Sequence, residues 1–165
     1  MNVAKYMPLL LCFFLVGCGY SVGPSSDHFV LAEKYRTMGI AEVDNPTMFT
    51  WLEPRLRKLL RDEMTNRGVI TWVDDREDAD ALISIDIESY TRRTAVEGEN
   101  DETLRSSAKL EFSAVVRSAV DDSVLWSSGR ITQSWPFFSG QESEADEEVT
   151  RLGIRDLANR MSQNY

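Results

Sequence analysis

Two stretches of the chain alternate apolar and polar side chains with a period of two, and two others repeat apolar residues at helical spacing. Ala81, Ile83, Ile85 and Ile87 share one face against Leu82, Ser84 and Asp86, which predicts a half-buried strand running through Tyr90 to about Thr94. After a turn at Glu97 to Asp101, the residues Ala108, Leu110, Phe112, Ala114 and Val116 face inward against Lys109, Glu111, Ser113 and Arg117. Asp121-Asp122 marks the next turn, and Val124 to about Trp135 is predicted as one long strand that Pro136 stops. The short connections make these three an antiparallel meander. An earlier strand is placed at Lys34 to Ile40, where alternation is weaker.

Between that strand and the meander, Asn45-Pro46 is a helix-start signal and Gly68 a left-handed stop after Arg67. Leu52, Leu56, Leu59, Leu60 and Met64 fall on one arc at 3.6 residues per turn, interrupted by Glu63. Pro54 lies inside this pattern, so Met48 to Trp51 is expected to form an irregular first turn. Val69 to Val73 is a short β-favouring run, followed by an acidic turn at Asp74 to Asp80. The final helix opens at the acidic segment Gln141 to Glu148, where negative charge suits a helix N-terminus. Ile154, Leu157, Ala158, Met161 and Tyr165 form its apolar stripe; Ala145, Val149 and Leu152 fall on a different face, so a change of environment is expected near Gly153.

The N-terminal residues stand apart from this pattern. Met7 to Val16 is almost wholly apolar, follows a short start carrying Lys5, and ends at Leu15-Val16-Gly17-Cys18. The layout is that of a secretory signal. A branched residue three positions before a cysteine, with a small one directly before it, resembles the lipobox of bacterial lipoproteins, whose cysteine is lipidated as the signal is cut. The run is about ten residues, too short for a bilayer core that needs about 20. The resulting organisation is a removed signal at 1–17, a lipid-anchored tether at 18–27 rich in small and turn residues, and a single domain at 28–165. Outer-membrane sorting follows by analogy from Gly19, where an Asp would favour inner-membrane retention.

Composition then removes most chemistries. The chain has two cysteines, one inside the signal and one at the lipid site, so no thiol remains for a disulfide, a metal or a nucleophile. A formal net charge of −9 argues against nucleic-acid binding, which requires a positive footprint. The single histidine, His28, sits beside the tether, no His/Cys cluster suits zinc, and no phosphate-cradling glycine loop opens a helix. The carboxylates at Asp74, Asp75, Glu77, Asp78 and Asp80 lack the spacing of a calcium loop. Neither a catalytic residue nor a cofactor other than the covalent lipid is expected.

Two basic groups remain. Arg57, Lys58 and Arg61 flank the apolar stripe of the first helix and suit a solvated face. Arg92 and Arg93 are adjacent on a strand, with Arg105 across the hairpin; they are either neutralised by Glu97, Glu99 and Glu102 or form an anion contact. Trp126 suits the core, and Trp135-Pro136-Phe137-Phe138 is a candidate exposed patch.

Read in order, Cys18-Gly19-Tyr20, Tyr35-Arg36-Thr37-Met38-Gly39-Ile40, Asn45-Pro46-Thr47, Leu52-Glu53-Pro54-Arg55-Leu56 and Asp78-Ala79-Asp80-Ala81-Leu82 resemble the LPS-assembly lipoprotein family (LptE) across essentially the whole mature chain. The resemblance implies an α+β fold, a two-layer sandwich with two helices on one face of a roughly four-stranded mixed sheet. It implies a non-catalytic outer-membrane lipoprotein, anchored through Cys18 on the periplasmic side, that plugs the β-barrel of the lipopolysaccharide translocon. Lipopolysaccharide is a second candidate partner, with Arg92, Arg93 and Arg105 as positional candidates for contact. The alternative is an auxiliary lipoprotein subunit of another transport or secretion complex.

Overall fold

In a computed structural model, residues 29–97 and 103–162 are described. The signal, Cys18, the tether, His28, the hairpin turn and Tyr165 lie outside the described residues. The elements are β1 (Thr37–Asp44), α1 (Leu52–Arg67), β2 (Thr71–Trp72), β3 (Ala81–Glu97), β4 (Thr103–Ser118), β5 (Val124–Ser127), β6 (Ile131–Phe137) and α2 (Glu142–Ser162). The sheet runs β2-β1-β3-β4, with β5 and β6 both paired to β4. The α+β class and mixed sheet are as expected, with six strands in place of about four.

β1 is parallel to both β2 and β3, so the chain must cross back over the sheet, and α1 supplies the crossover. Its buried residues Leu52, Leu56, Leu60 and Met64 are the expected stripe, with Leu59 packed partly buried beside them. Glu63 is held at the stripe's margin by Arg67 at 2.7 Å. Asn45 does not cap the helix: its Oδ1 accepts from the Thr47 N–H at 3.1 Å in a local turn, and the helix begins only at Leu52. Pro54 is tolerated because it falls in the first turn, where its missing N–H would have had no intrahelical partner. Gly68 ends the helix at φ 67°.

Three expectations are corrected. The first strand starts three residues later than Lys34 and ends four later than Ile40: Glu33–Tyr35 is a short 3-10 turn, and the pairing that defines β1 starts where Thr37 and Met38 meet β2. The strand expected over Val124 to Trp135 is two. Its break is at Ser128, whose Oγ accepts the Ala114 N–H at 2.9 Å in place of a ladder carbonyl, and at Gly129, left-handed at φ 62°. Pro136 does not stop the ladder either; it pairs with Ser107 within β6, on the outermost strand, where a missing N–H costs no sheet bond.

The last helix keeps one continuous buried face, contrary to the expected change at Gly153. Ala145, Val149, Gly153, Ile154, Leu157, Ala158 and Met161 are all buried. Gly153 is the link that an apolar count misses: a Cβ there would sit 2.8 Å from Phe112 Cε1 on β4, so only glycine allows this approach. α1 and α2 lie side by side and parallel: Arg55 Nε, in the first turn of α1, donates to Thr150 Oγ1 near the middle of α2, and Arg67 Nη1 donates to Ser162 Oγ at their ends, both across 95 residues.

A single apolar core fills the space between the helices and the inner sheet face, with Phe112, Met38 and Ile83 among its fully buried side chains. Across the sheet, buried Leu82 lies against Gly39, where a Cβ would sit 3.1 Å from Leu82 Cδ2, and the rest of that outer face is largely polar. The Val30 N–H donates to the Met161 carbonyl at 2.8 Å, so the chain joins the domain at the C-terminal end of α2, opposite the β3–β4 hairpin.

Candidate functional site

The long β3–β4 hairpin carries all three candidate arginines, and a β-bulge decides which way each faces. Pairing is regular from Ala81↔Ser118 to Ile87↔Phe112, then skips Glu88 and resumes at Ser89↔Glu111. The extra residue reverses the side-chain phase of β3 without changing β4. Inward positions therefore pass from Ile87 to Tyr90 and Arg92, and outward positions from Asp86 to Ser89, Thr91 and Arg93. The adjacent arginines stand on opposite faces.

Arg92 lies on the helix side and is a structural clamp. Its Nε donates to Asp146 Oδ1 at 3.0 Å, and its Nη2 pairs more closely with Oδ2. The Tyr90 hydroxyl donates to the same carboxylate. The guanidinium lies 5.5 Å from the Phe49 ring centroid, and Phe49, Trp51 and Tyr90 meet edge to face at 4.8 to 6.4 Å. One cluster thus joins the segment entering α1, the hairpin and the first turns of α2. Burial, reinforced by the Asp146 hydrogen bond, pushes the Tyr90 phenol up to about 12. Burial opposes the charge on Arg92, but the bonds to Tyr90 and Asp146 prevail and raise its pKa.

Arg93 and Arg105 face the other way. Arg93 pairs in register with Ser107, and Arg105 precedes Ser107 by two positions on β4, so the two are diagonal neighbours on the outer face. An open groove of about 290 Å³ lies here, lined by Thr91, Arg93, Ser107, Lys109, Glu111 and Ser134 among others. Ser107 and Ser134 share a hydrogen bond at 2.8 Å, and Ser89 donates to Glu111 at 2.8 Å. Lys109, at 2.9 Å, and Ser89 hold the Glu111 carboxyl below the usual range. Among the described residues no carboxylate pairs with Arg93 or Arg105. The side chains of Glu97, Glu99 and Glu102, their expected neutralisers, lie outside what is described.

The other groups are absorbed by the fold. Arg57 pairs with Glu53, Lys58 with Asp62 and Arg61 with Asp74, as a solvated helix flank requires. Trp126 and Trp135 pack partly buried on the core and Phe137 is buried, leaving Phe138 as the exposed member of the aromatic run, at 61%. Among the described residues no group of three His, Cys, Asp or Glu could hold a metal ion, and no helix is long and apolar enough to cross a membrane. Asp146, Phe49 and Trp51 were not singled out by sequence. The sequence trace of the bulge is a change of apolar spacing, since Ile83, Ile85 and Ile87 step by two and the next large apolar residue, Tyr90, lies three further on.

Among the described residues, the fold is a helix-backed mixed sheet whose outer face is largely polar. Residues 35–164 match the sequence profile described as LptE, lipopolysaccharide-assembly, and the chain belongs to that family of lipoproteins. No curated protein matches it by sequence. Among solved structures, lipoprotein B from Nitrosomonas europaea is 14% identical with a TM-score of 0.56, over 78% of this chain and 83% of its own. The PelC dodecamer from Paraburkholderia phytofirmans is 14% identical with a TM-score of 0.54, over 82% and 93%. At that identity the likeness is one of fold.

Proposed function

We propose that this chain is a non-catalytic outer-membrane lipoprotein, anchored through Cys18, that sits in the lumen of a β-barrel and supports assembly of lipopolysaccharide into the outer membrane. Family membership supports the pathway. The observation that carries the plug role is the outer sheet face, where Asp86, Glu88, Thr91, Lys109, Ser113 and Thr132 stand with no second layer over them among the described residues. Barrel lumens of this kind are polar and hydrated, so such a face loses little on entering one, whereas an apolar face would demand a different partner. Arg93 and Arg105, beside Lys109, are the groups placed to meet a phosphate on lipopolysaccharide or a carboxylate on the barrel wall, each contact contributing about 1.5–3 kcal/mol. Arg92, spent on Asp146, is not one of them.

The test is recovery of the lipidated protein from detergent-solubilised membranes. A porin-like barrel in stoichiometric amount is expected; an inner-membrane transporter complex in its place would assign the chain to another export machine. The Cys18→Ala variant should take up no palmitate analogue and should lose the barrel, while unchanged labelling would refute the lipid site.

A further inference from the structure

Along β4 the charged groups of the outer face follow one another in a fixed order. Arg105, Ser107, Lys109 and Glu111 are alternate residues of one strand, so they share this face at spacings of about 7 Å. Arg93 stands opposite Ser107 on β3. Ser107 is therefore ringed by cations, with Arg93 across the ladder, Arg105 on the hairpin side and Lys109 on the other. The hydroxyls of Ser107 and Ser134 are hydrogen-bonded to each other, and neither carries a charge to offset the ring. Cations gathered in this way repel unless an anion joins them.

Glu111 is the one carboxylate among the described residues that line the groove. It is held from three strands: by Lys109 at 2.9 Å, by Ser89 Oγ at 2.8 Å from β3 and by Thr132 Oγ1 at 3.4 Å from β6. Arg130, itself paired with Glu88 at 2.6 Å, adds a weaker attraction. The Glu111 side chain is 22% exposed and that of Lys109 47%, so the carboxylate is fixed and the ammonium is the mobile partner. A lysine on a flexible four-carbon stem can reach either neighbour on its own strand, and Lys109 is turned from Ser107 toward Glu111.

We infer that Glu111 is an internal competitor for Lys109: it draws the lysine away from the ring around Ser107, and a phosphate group bound there gains this third cation only by taking it from Glu111. Arg93 and Arg105 are then the constant part of the anion contact, and Glu111 sets its strength. The inference deepens the reading that the outer face meets lipopolysaccharide and rests on it.

The experiment measures binding of purified lipopolysaccharide to the full-length protein in detergent micelles, for Glu111→Gln, Lys109→Gln and the double variant. Glu111→Gln keeps an acceptor for Ser89 while removing the charge, and should tighten binding at least about fivefold. Removing a carboxylate from an acidic protein favours an anion by charge alone, so the deciding quantity is the coupling between the two positions. Lys109→Gln should cost at least about fivefold more when Glu111→Gln is already present than it does in the wild type. Equal costs in the two backgrounds, or no gain from Glu111→Gln, would overturn the inference. If the wild type binds no lipopolysaccharide, the outer-face reading fails, and the pairing is decided separately by NMR titration of the Glu111 carboxyl without ligand. That carboxyl, held below the usual range by Lys109 and Ser89, should rise in Lys109→Gln, and a titration unmoved by the change would overturn the inference. The same titration decides the matter if Glu111→Gln does not fold.

Discussion

At the scale of single residues, Tyr90 ties the stability of the domain to alkaline pH. Its phenol is raised to about 12 in the fold, by burial first and then by the bond to Asp146, against about 10 when free. A raised folded pKa means that the neutral form is the one stabilised. The contribution is complete below pH 10 and is lost as pH rises through 12. That rise corresponds to about 3 kcal/mol. Tyr90→Phe is therefore expected to lower stability modestly at neutral pH and to flatten the loss of stability between pH 10 and 12; chemical denaturation across that range checks it, and an unchanged alkaline slope would contradict the assignment.

Among the elements, the two neighbouring arginines give the sharpest contrast. Arg92→Glu places a second carboxylate against Asp146 in a partly buried site and should cost about 2 kcal/mol or more. Arg93→Glu with Arg105→Glu changes only outward positions and should shift stability by under about 0.5 kcal/mol while weakening lipopolysaccharide binding at least about tenfold. Thermal midpoints and binding measured on both variants separate the roles; equal destabilisation would mean that the bulge does not divide them. The period-two and 3.6-residue patterns revealed the meander strands and both helices because each buries one face, so burial writes itself into spacing. What escaped was whatever depends on a partner distant in sequence. Asp146 lies 54 residues from Arg92, Gly153 contributes to packing by having no side chain, and Ser128 breaks a strand by lending its hydroxyl to Ala114. The acidic turn at Asp74 to Asp80 and the basic flank of α1 were legible because solvated charge needs no such partner.

For the molecule as a whole, the core is a single apolar cluster, and no cysteine follows Cys18. The domain from about Ser21 is expected to unfold reversibly as a monomer, with a midpoint unmoved by chelator or reductant; a transition lost with chelator would mean that a metal holds the fold. Enclosure by a barrel differs from docking in that opposite faces meet the same partner. Photo-crosslinking in intact cells tests this most directly, with the reactive side chain placed at Asp86 on the outer sheet face and separately at Lys58 on the solvent side of α1, where 75% of the side chain is exposed. Adducts from both positions to one and the same outer-membrane barrel are expected. Adducts from one face only, or from the two faces to different proteins, would contradict enclosure.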